Sequence, residues 1–219
     1  MPSSPGEPAV PAPRSGVLVL GIGNVLWADE GFGVRAVEAV HRRYLMPPSV
    51  SLVDGGTQGL YLLDQVCGAE QVLVLDAIDY KLPPGTLRVL RDAEVPVYSD
   101  AMMSLHQASF MELLSLARLR GRFPSRITLI GVQPEVLDDL GGSLSPSVRA
   151  RLDEAVSLAV AELAAWGVSA ESRAEPPAEP LSPGALAIHH YEAGRPSENE
   201  ACRIGDARFM PRRGVEGQG

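Results

Sequence analysis

The chain has 219 residues, 45% of them hydrophobic and 21% charged, which is enough for the core of one domain with material left over. Its formal net charge of −8 argues against sequence-independent binding to nucleic acid or to an anionic membrane, because both partners need basic patches. No apolar run approaches the ~20 residues of a membrane helix, no charged segment leads into an apolar one at the N-terminus, and Cys67 and Cys202 are too far apart in sequence to suggest a disulfide framework, so the expected compartment is the cytoplasm.

Composition divides the chain into three. Eleven of the 19 prolines lie in residues 1–15 and 169–219, which predicts a Pro-rich flexible N-terminus over 1–15 and a low-order Pro-rich tail over 169–219. Deleting such a tail is expected to cost little stability. If it docks after all, Leu186, Ile188, Tyr191 and Phe209 are its candidate anchors, and His189-His190 reads as a solvated pair without nearby metal ligands. The remaining 16–168 has the length of a single α/β domain.

Within that domain strands and helices alternate. Val17–Leu20 is apolar without alternation, as in a strand buried on both faces, and it runs into Gly21-Ile22-Gly23-Asn24. Gly33–Tyr44 has helical spacing, with Val34, Val37, Val40 and His41 on one face, and Pro47-Pro48 lies beyond it. Val50–Val53 predicts a second strand, entering Asp54-Gly55-Gly56-Thr57 and then a short helix through Leu60, Leu63 and Val66, with Cys67 a small buried hydrophobe at its end. Gln71–Leu75 is the most uniformly apolar strand and is expected at the centre of the sheet, ending at Asp76. Thr86–Arg91 alternates, which suits an edge strand with one wet face. Ser104–Leu119 reads as a helix, Ile127–Ile130 as a buried strand, and Ser145–Trp166 as one long helix with Ser145 as N-cap, Pro146 at its first position and Gly167 closing it. This order predicts a three-layer αβα sandwich around a mostly parallel central sheet.

A Gly-x-Gly after a first strand raises the question of a dinucleotide site. The fingerprint requires a third small residue three positions after the second glycine, and that position is Leu26; the following helix also begins too late to aim its N-terminus at a phosphate held by Gly21 and Gly23. A second reading comes from the polar residues predicted at the carboxyl ends of strands. Glu30 follows the first strand, Asp76 ends the central one and His106 opens a helix; two carboxylates and an imidazole are a donor set for a transition metal. Each has a structural alternative. Asp29 or Glu30 can serve a helix N-terminus, Asp76 can cap a turn, and His106 can be a first-turn histidine.

Gly21-Ile22-Gly23-Asn24 with Asp29-Glu30-Gly31-Phe32-Gly33, Asp54-Gly55-Gly56-Thr57, Asp76-Ala77-Ile78-Asp79 with Pro84-Gly85-Thr86, Ser104-Leu105-His106-Gln107 and Gly131-Val132-Gln133-Pro134-Glu135 occur in that order. Together these blocks resemble the [NiFe]-hydrogenase maturation endopeptidase family across 21–135, while the tail beyond Gly167 falls outside the resemblance. The resemblance implies a cytoplasmic, monomeric protease that removes a C-terminal peptide from the hydrogenase large-subunit precursor after nickel insertion. Glu30, Asp76 and His106 match the family's metal-contacting positions, and all three are expected to be partly exposed in a cleft. The nickel is then supplied by the substrate, held by precursor cysteines, with zinc or cadmium able to take its place in vitro and no organic cofactor.

Other protease machinery is missing from the sequence, which has no His-Glu-x-x-His and no Gly-x-Ser-x-Gly. Metal-borne catalysis fits that absence: substrate nickel polarises the scissile carbonyl or lowers the pKa of an attacking water. Gly55, Gly56 and Thr57 are candidate substrate contacts. Asp54 is a candidate for a nearby polar role, with an Asx turn as the alternative. Two rival classes remain open at this stage: a self-sufficient metallohydrolase with zinc on the same three residues, and a non-catalytic metal-dependent chaperone of the precursor.

Overall fold

The computed structural model describes residues 16–97 and 105–195, the side chains of 96, 97 and 105–109 excepted. The chain opens with β1 (Val17–Ile22), every residue of which is buried. A 3-10 turn, Ala28–Gly31, leads into α1 (Phe32–Arg43), whose Val34, Val37 and Val40 are buried as expected while His41 is half-buried. After β2 (Tyr44–Leu45) come β3 (Val50–Gly56), a 3-10 turn over Gly59–Leu62, α2 (Leu63–Gly68), the buried strand β4 (Gln71–Ala77), β5 (Leu87–Arg91), α3 (Glu94–Val97), α4 (Leu105–Leu119) and β6 (Arg126–Val132). The chain ends with α5 (Pro146–Arg149), α6 (Leu152–Ala165), β7 (Glu171–Ser172), a 3-10 turn over Gly184–Leu186 and α7 (Ile188–Ala193).

The main sheet has the order β3-β1-β4-β6-β5, which makes β4 the central strand, and all its pairings are parallel except that of β5 with β6. Strand alternation divides the core in two. Leu18, Leu20, Val72, Val74 and Ile127 face a layer containing Leu63 and Val66 of α2 with Phe110 and Leu113 of α4. Val19, Leu73, Leu75 and Ile130 face one containing Val37 of α1 with Val156 and Leu163 of α6. This is the expected three-layer αβα sandwich around one mainly parallel sheet.

Several local expectations change. The segment after Thr57 starts as a 3-10 turn, and its three residues per turn shift the register, so Leu62, Leu63 and Val66 are buried while Leu60 is 49% exposed. The helix expected over Ser145–Trp166 is divided between Arg149 and Leu152, where the Arg151 N–H reaches the Val148 carbonyl three residues back. Gly167 does close it, at φ +83°. β5 is an edge strand, but neither face is simply wet. Leu90 enters the α4 layer, and Arg91 forms a fork with Glu162 of α6 at 2.7–3.1 Å. Glu162, buried and also accepting from Thr128, has its pKa lowered chiefly by that Arg91 hydrogen bond.

The largest departure lies beyond residue 168. Residues 171–195, expected as part of a low-order tail, run across α1. β7 pairs antiparallel with β2, the buried Arg35 donates to the Leu186 carbonyl, its guanidinium lies 5.6 Å from the centre of the Tyr191 ring, and Ile188 packs on the core. Three of the four candidate anchors thus make contacts with the domain. Phe209, like Cys202 and residues 1–15, lies outside the described residues. His189 and His190 are exposed. Among the described residues no helix is long and apolar enough to cross a membrane.

Candidate active site

In a parallel sheet ligands gather where neighbouring strands send their following connections in opposite directions. Here that point lies between β1, whose chain leaves toward β3, and β4, whose chain leaves toward β6 and β5. Glu30 lies on the turn after the first and Asp76 is the penultimate residue of the second, and Gly21 and Leu75 are register partners, so the two acidic residues follow or close neighbouring strands at the same end of the sheet.

Glu30 lies on the 3-10 turn that folds back over the end of β1. Gly23 permits this: its φ is +134°, and a Cβ there would stand 1.8 Å from the Glu30 carbonyl oxygen. The neighbouring Asp29 is fully buried, and its carboxylate accepts from the backbone N–H groups of Glu135, Val136 and Ser145 and from the Ser145 hydroxyl, at 2.7–2.9 Å. Asp29 therefore ties the Glu30 turn to the loop after β6. Of the acidic pair it is Asp29 that has the structural role, and it serves that loop rather than the N-terminus of α1. The same bonds explain why Ser145, at the N-cap position, makes no side-chain cap of its own helix.

Asp76 was expected to be partly exposed, but it is 3% exposed because it stands on the innermost strand. One of its oxygens accepts from the Ala77 N–H at 2.8 Å. By alternation with Val72 and Val74 it stands on the face covered by α4. Its partner on β6 is Gly131, and a Cβ at Gly131 would meet the Tyr80 hydroxyl at 2.0 Å, so the Tyr80 ring occupies the place of a side chain beside Asp76. Tyr80 is a site residue the sequence reading passed over; the glycine opposite Asp76 in an otherwise apolar strand was the available signal. The loop holding Tyr80 is fixed by the buried Gln133, whose side-chain carbonyl accepts from the Tyr80 and Leu82 N–H groups while its amide donates to Asp79. The Lys81 ammonium 2.6 Å from Asp79, together with the Gln133 amide, lowers the Asp79 pKa to about 2.

His106 is the second residue of α4, and its side chain lies outside the described residues. One helical turn later Phe110 lines a small cavity with Ile22, Gly56, Thr57 and Leu62, which sets this end of α4 beside the carboxyl ends of β1 and β3. Asp54 is the β3 partner of Gly21. Its carboxylate makes no bond to its own turn; it accepts from the Ser182 hydroxyl at 2.6 Å. Gly55 is buried and Gly56 adopts φ +45° at an irregularity in the pairing with β1, leaving Thr57 exposed at the rim. Cys67 is buried in the α2–α4 layer, as expected of a structural thiol.

Acidic residues thus follow or close the two strands at this point of the sheet, Glu30 after β1 and Asp76 in β4. Among the described residues no three His, Cys, Asp or Glu side chains form a complete metal-holding group. The HycI family model, described as hydrogenase maturation protease, matches residues 34–162. The chain belongs to the hydrogenase maturation protease family. The hydrogenase expression/formation protein HoxM of Azotobacter vinelandii is 53% identical over 201 residues, covering 91% of this chain and 97% of that one. The hydrogenase 2 maturation protease of Escherichia coli K12 is 42% identical over 158 residues, 72% of this chain and 96% of its own. The solved structure of the E. coli hydrogenase maturating endopeptidase HybD superimposes with a TM-score of 0.69, covering 72% of this chain and 98% of that one. As a hydrogenase maturation endopeptidase this chain cuts peptide bonds, and the matched segment includes Asp76 and His106, with Glu30 just ahead of it.

Proposed function

We propose that this maturation endopeptidase removes the C-terminal peptide of a [NiFe]-hydrogenase large-subunit precursor once nickel is in place, and that it recognises the nickel itself. What supports this reading is that β1 and β4 are neighbours in register, with Glu30 on the turn after the first and Asp76 penultimate in the second, and that α4, which carries His106 as its second residue, covers the face on which Asp76 stands. In this reading Glu30, Asp76 and His106 contribute part of a coordination sphere that precursor thiolates complete. Nickel held between them lowers the pKa of an attacking water or polarises the scissile carbonyl. The Asp54–Thr57 turn receives the peptide at the rim. The protein acts as a cytoplasmic monomer, and the zinc-enzyme and chaperone readings become outcomes of the test.

That test is cleavage of purified precursor with and without nickel, followed by mass spectrometry of the released peptide. Cleavage only of the nickel-loaded form supports the reading. Efficient cleavage of exhaustively chelated precursor points to metal-independent chemistry, cleavage dependent on zinc retained by the protease points to the metallohydrolase, and binding without cleavage points to the chaperone.

A further inference from the structure

The stretch Leu181–Glu192 contacts both of the loops that flank the Glu30 turn. At one end the Ser182 hydroxyl donates to Asp54 at 2.6 Å, and Ser182 is only 4% exposed although it lies in a proline-rich segment. At the other end Glu192 accepts from the Ser143 hydroxyl at 2.6 Å and pairs with Arg149. Ser143 is two residues from Ser145, whose N–H and hydroxyl both bond Asp29 beside Glu30. Between the two ends, Arg35 fixes the strap to α1 through the Leu186 carbonyl and the Tyr191 ring. The strap thus runs over α1 and ties the Asp54–Thr57 turn to the Ser143–Arg149 loop, the loop that also holds Asp29 beside Glu30.

The E. coli hydrogenase 2 protease is matched over 96% of its length by 72% of this chain, which leaves little room for such a strap in addition to the core. A. vinelandii HoxM is matched by 91% of it. Relatives of this chain therefore include both a shorter protein and one that is matched by most of this chain's length.

We propose that residues 181–192 form a specificity element: by fixing the separation of the Asp54–Thr57 turn and the Ser143–Arg149 loop, Ser182 and Glu192 set which large-subunit precursor the crevice admits. This rests on the proteolytic reading above, and Ser182 and Glu192 are positioning residues that act through those loops. An element of this kind lowers KM for the matching precursor and leaves the chemical step unchanged.

The experiment uses the full-length chain as wild type, S182A, E192Q and the double variant. Steady-state cleavage is followed on two nickel-loaded precursors, the A. vinelandii hydrogenase large subunit and that of E. coli hydrogenase 2. Wild type is expected to favour the first. S182A removes the hydrogen bond to Asp54 and E192Q removes the charge that faces Arg149, and each is expected to raise KM for the first precursor about fivefold, leave kcat within about twofold, and narrow the preference correspondingly. S182T, which keeps the hydroxyl, is expected to restore wild-type values. Unchanged KM and preference in the double variant would overturn the proposal, as would an equal loss on both precursors. A wild type that cuts neither precursor would instead bring down the proteolytic reading beneath it.

Discussion

At the scale of single residues, the site depends on two places where a side chain is absent or a charge is held. Gly131 leaves room for the Tyr80 ring beside Asp76, and Gly131→Ala would drive a methyl into Tyr80 ring and hydroxyl atoms at 2.0–3.1 Å. Overpacking of this kind costs about 1–3 kcal/mol, so the variant is expected to unfold at lower denaturant and to lose processing as Tyr80 moves. Asp79 gives a pH dependence. Its folded pKa, about 2, lies below the unfolded value near 3.8, so its contribution to stability is present above pH ~4 and is lost as pH falls toward 2. Lys81 is 60% exposed, which screens the pair, and Asp79→Asn is expected to cost about 1 kcal/mol at pH 7 and nothing near pH 2. Urea titrations at the two pH values measure the difference. Glu30, Asp76 and His106 belong to the same scale: alanine at any of them is expected to abolish processing, with Asp76→Ala the most disturbing to the fold because Asp76 is the buried one of the two carboxylates.

Among elements, the strap changes an expectation about stability. Truncation after residue 170 removes β7, the Arg35 contacts to Leu186 and Tyr191 and the packing of Ile188, and leaves the Arg35 guanidinium paired with Glu38. The cost is expected to be about 2–4 kcal/mol, or a fall of roughly 5–10 °C in melting temperature, read by circular dichroism. A truncated chain that melts with the full-length protein would show that these contacts add nothing. The start of α5 shows the same influence of distant residues: Asp29, 116 positions away in sequence, takes the N–H and hydroxyl of Ser145.

For the molecule as a whole, the proposed function makes the protein a catalyst that meets a cation presented by another protein. If nickel arrives with the precursor, specificity becomes a checkpoint on metal insertion. Free nickel added to the protease is then expected not to license cleavage of unrelated proteins, since three side chains supply only part of a coordination sphere. Inhibitors of serine and cysteine proteases are expected to have no effect on processing of the loaded precursor, which a gel-shift assay of the large subunit reads directly.

The sequence by itself determined the layered fold and the places where chemistry gathers. Short apolar runs such as Val72–Leu75 read as strands buried on both faces, and glycines and acidic residues after such runs mark carboxyl ends. Motif order pointed to the family, and Glu30 and Asp76 stood out as candidates because the first lies in the loop after one such run and the second closes another. Only the tertiary structure decided that Asp29 is structural, since the donors that reach its carboxylate come from the loop after β6 and leave no trace in the local pattern. It also decided that Tyr80 sits over Gly131 and that a proline-rich segment returns to Asp54. Composition correctly reports that such a segment has few large apolar side chains. It carries no record of the hydroxyl, carbonyl and aromatic partners that Asp54 and Arg35 supply from far along the chain.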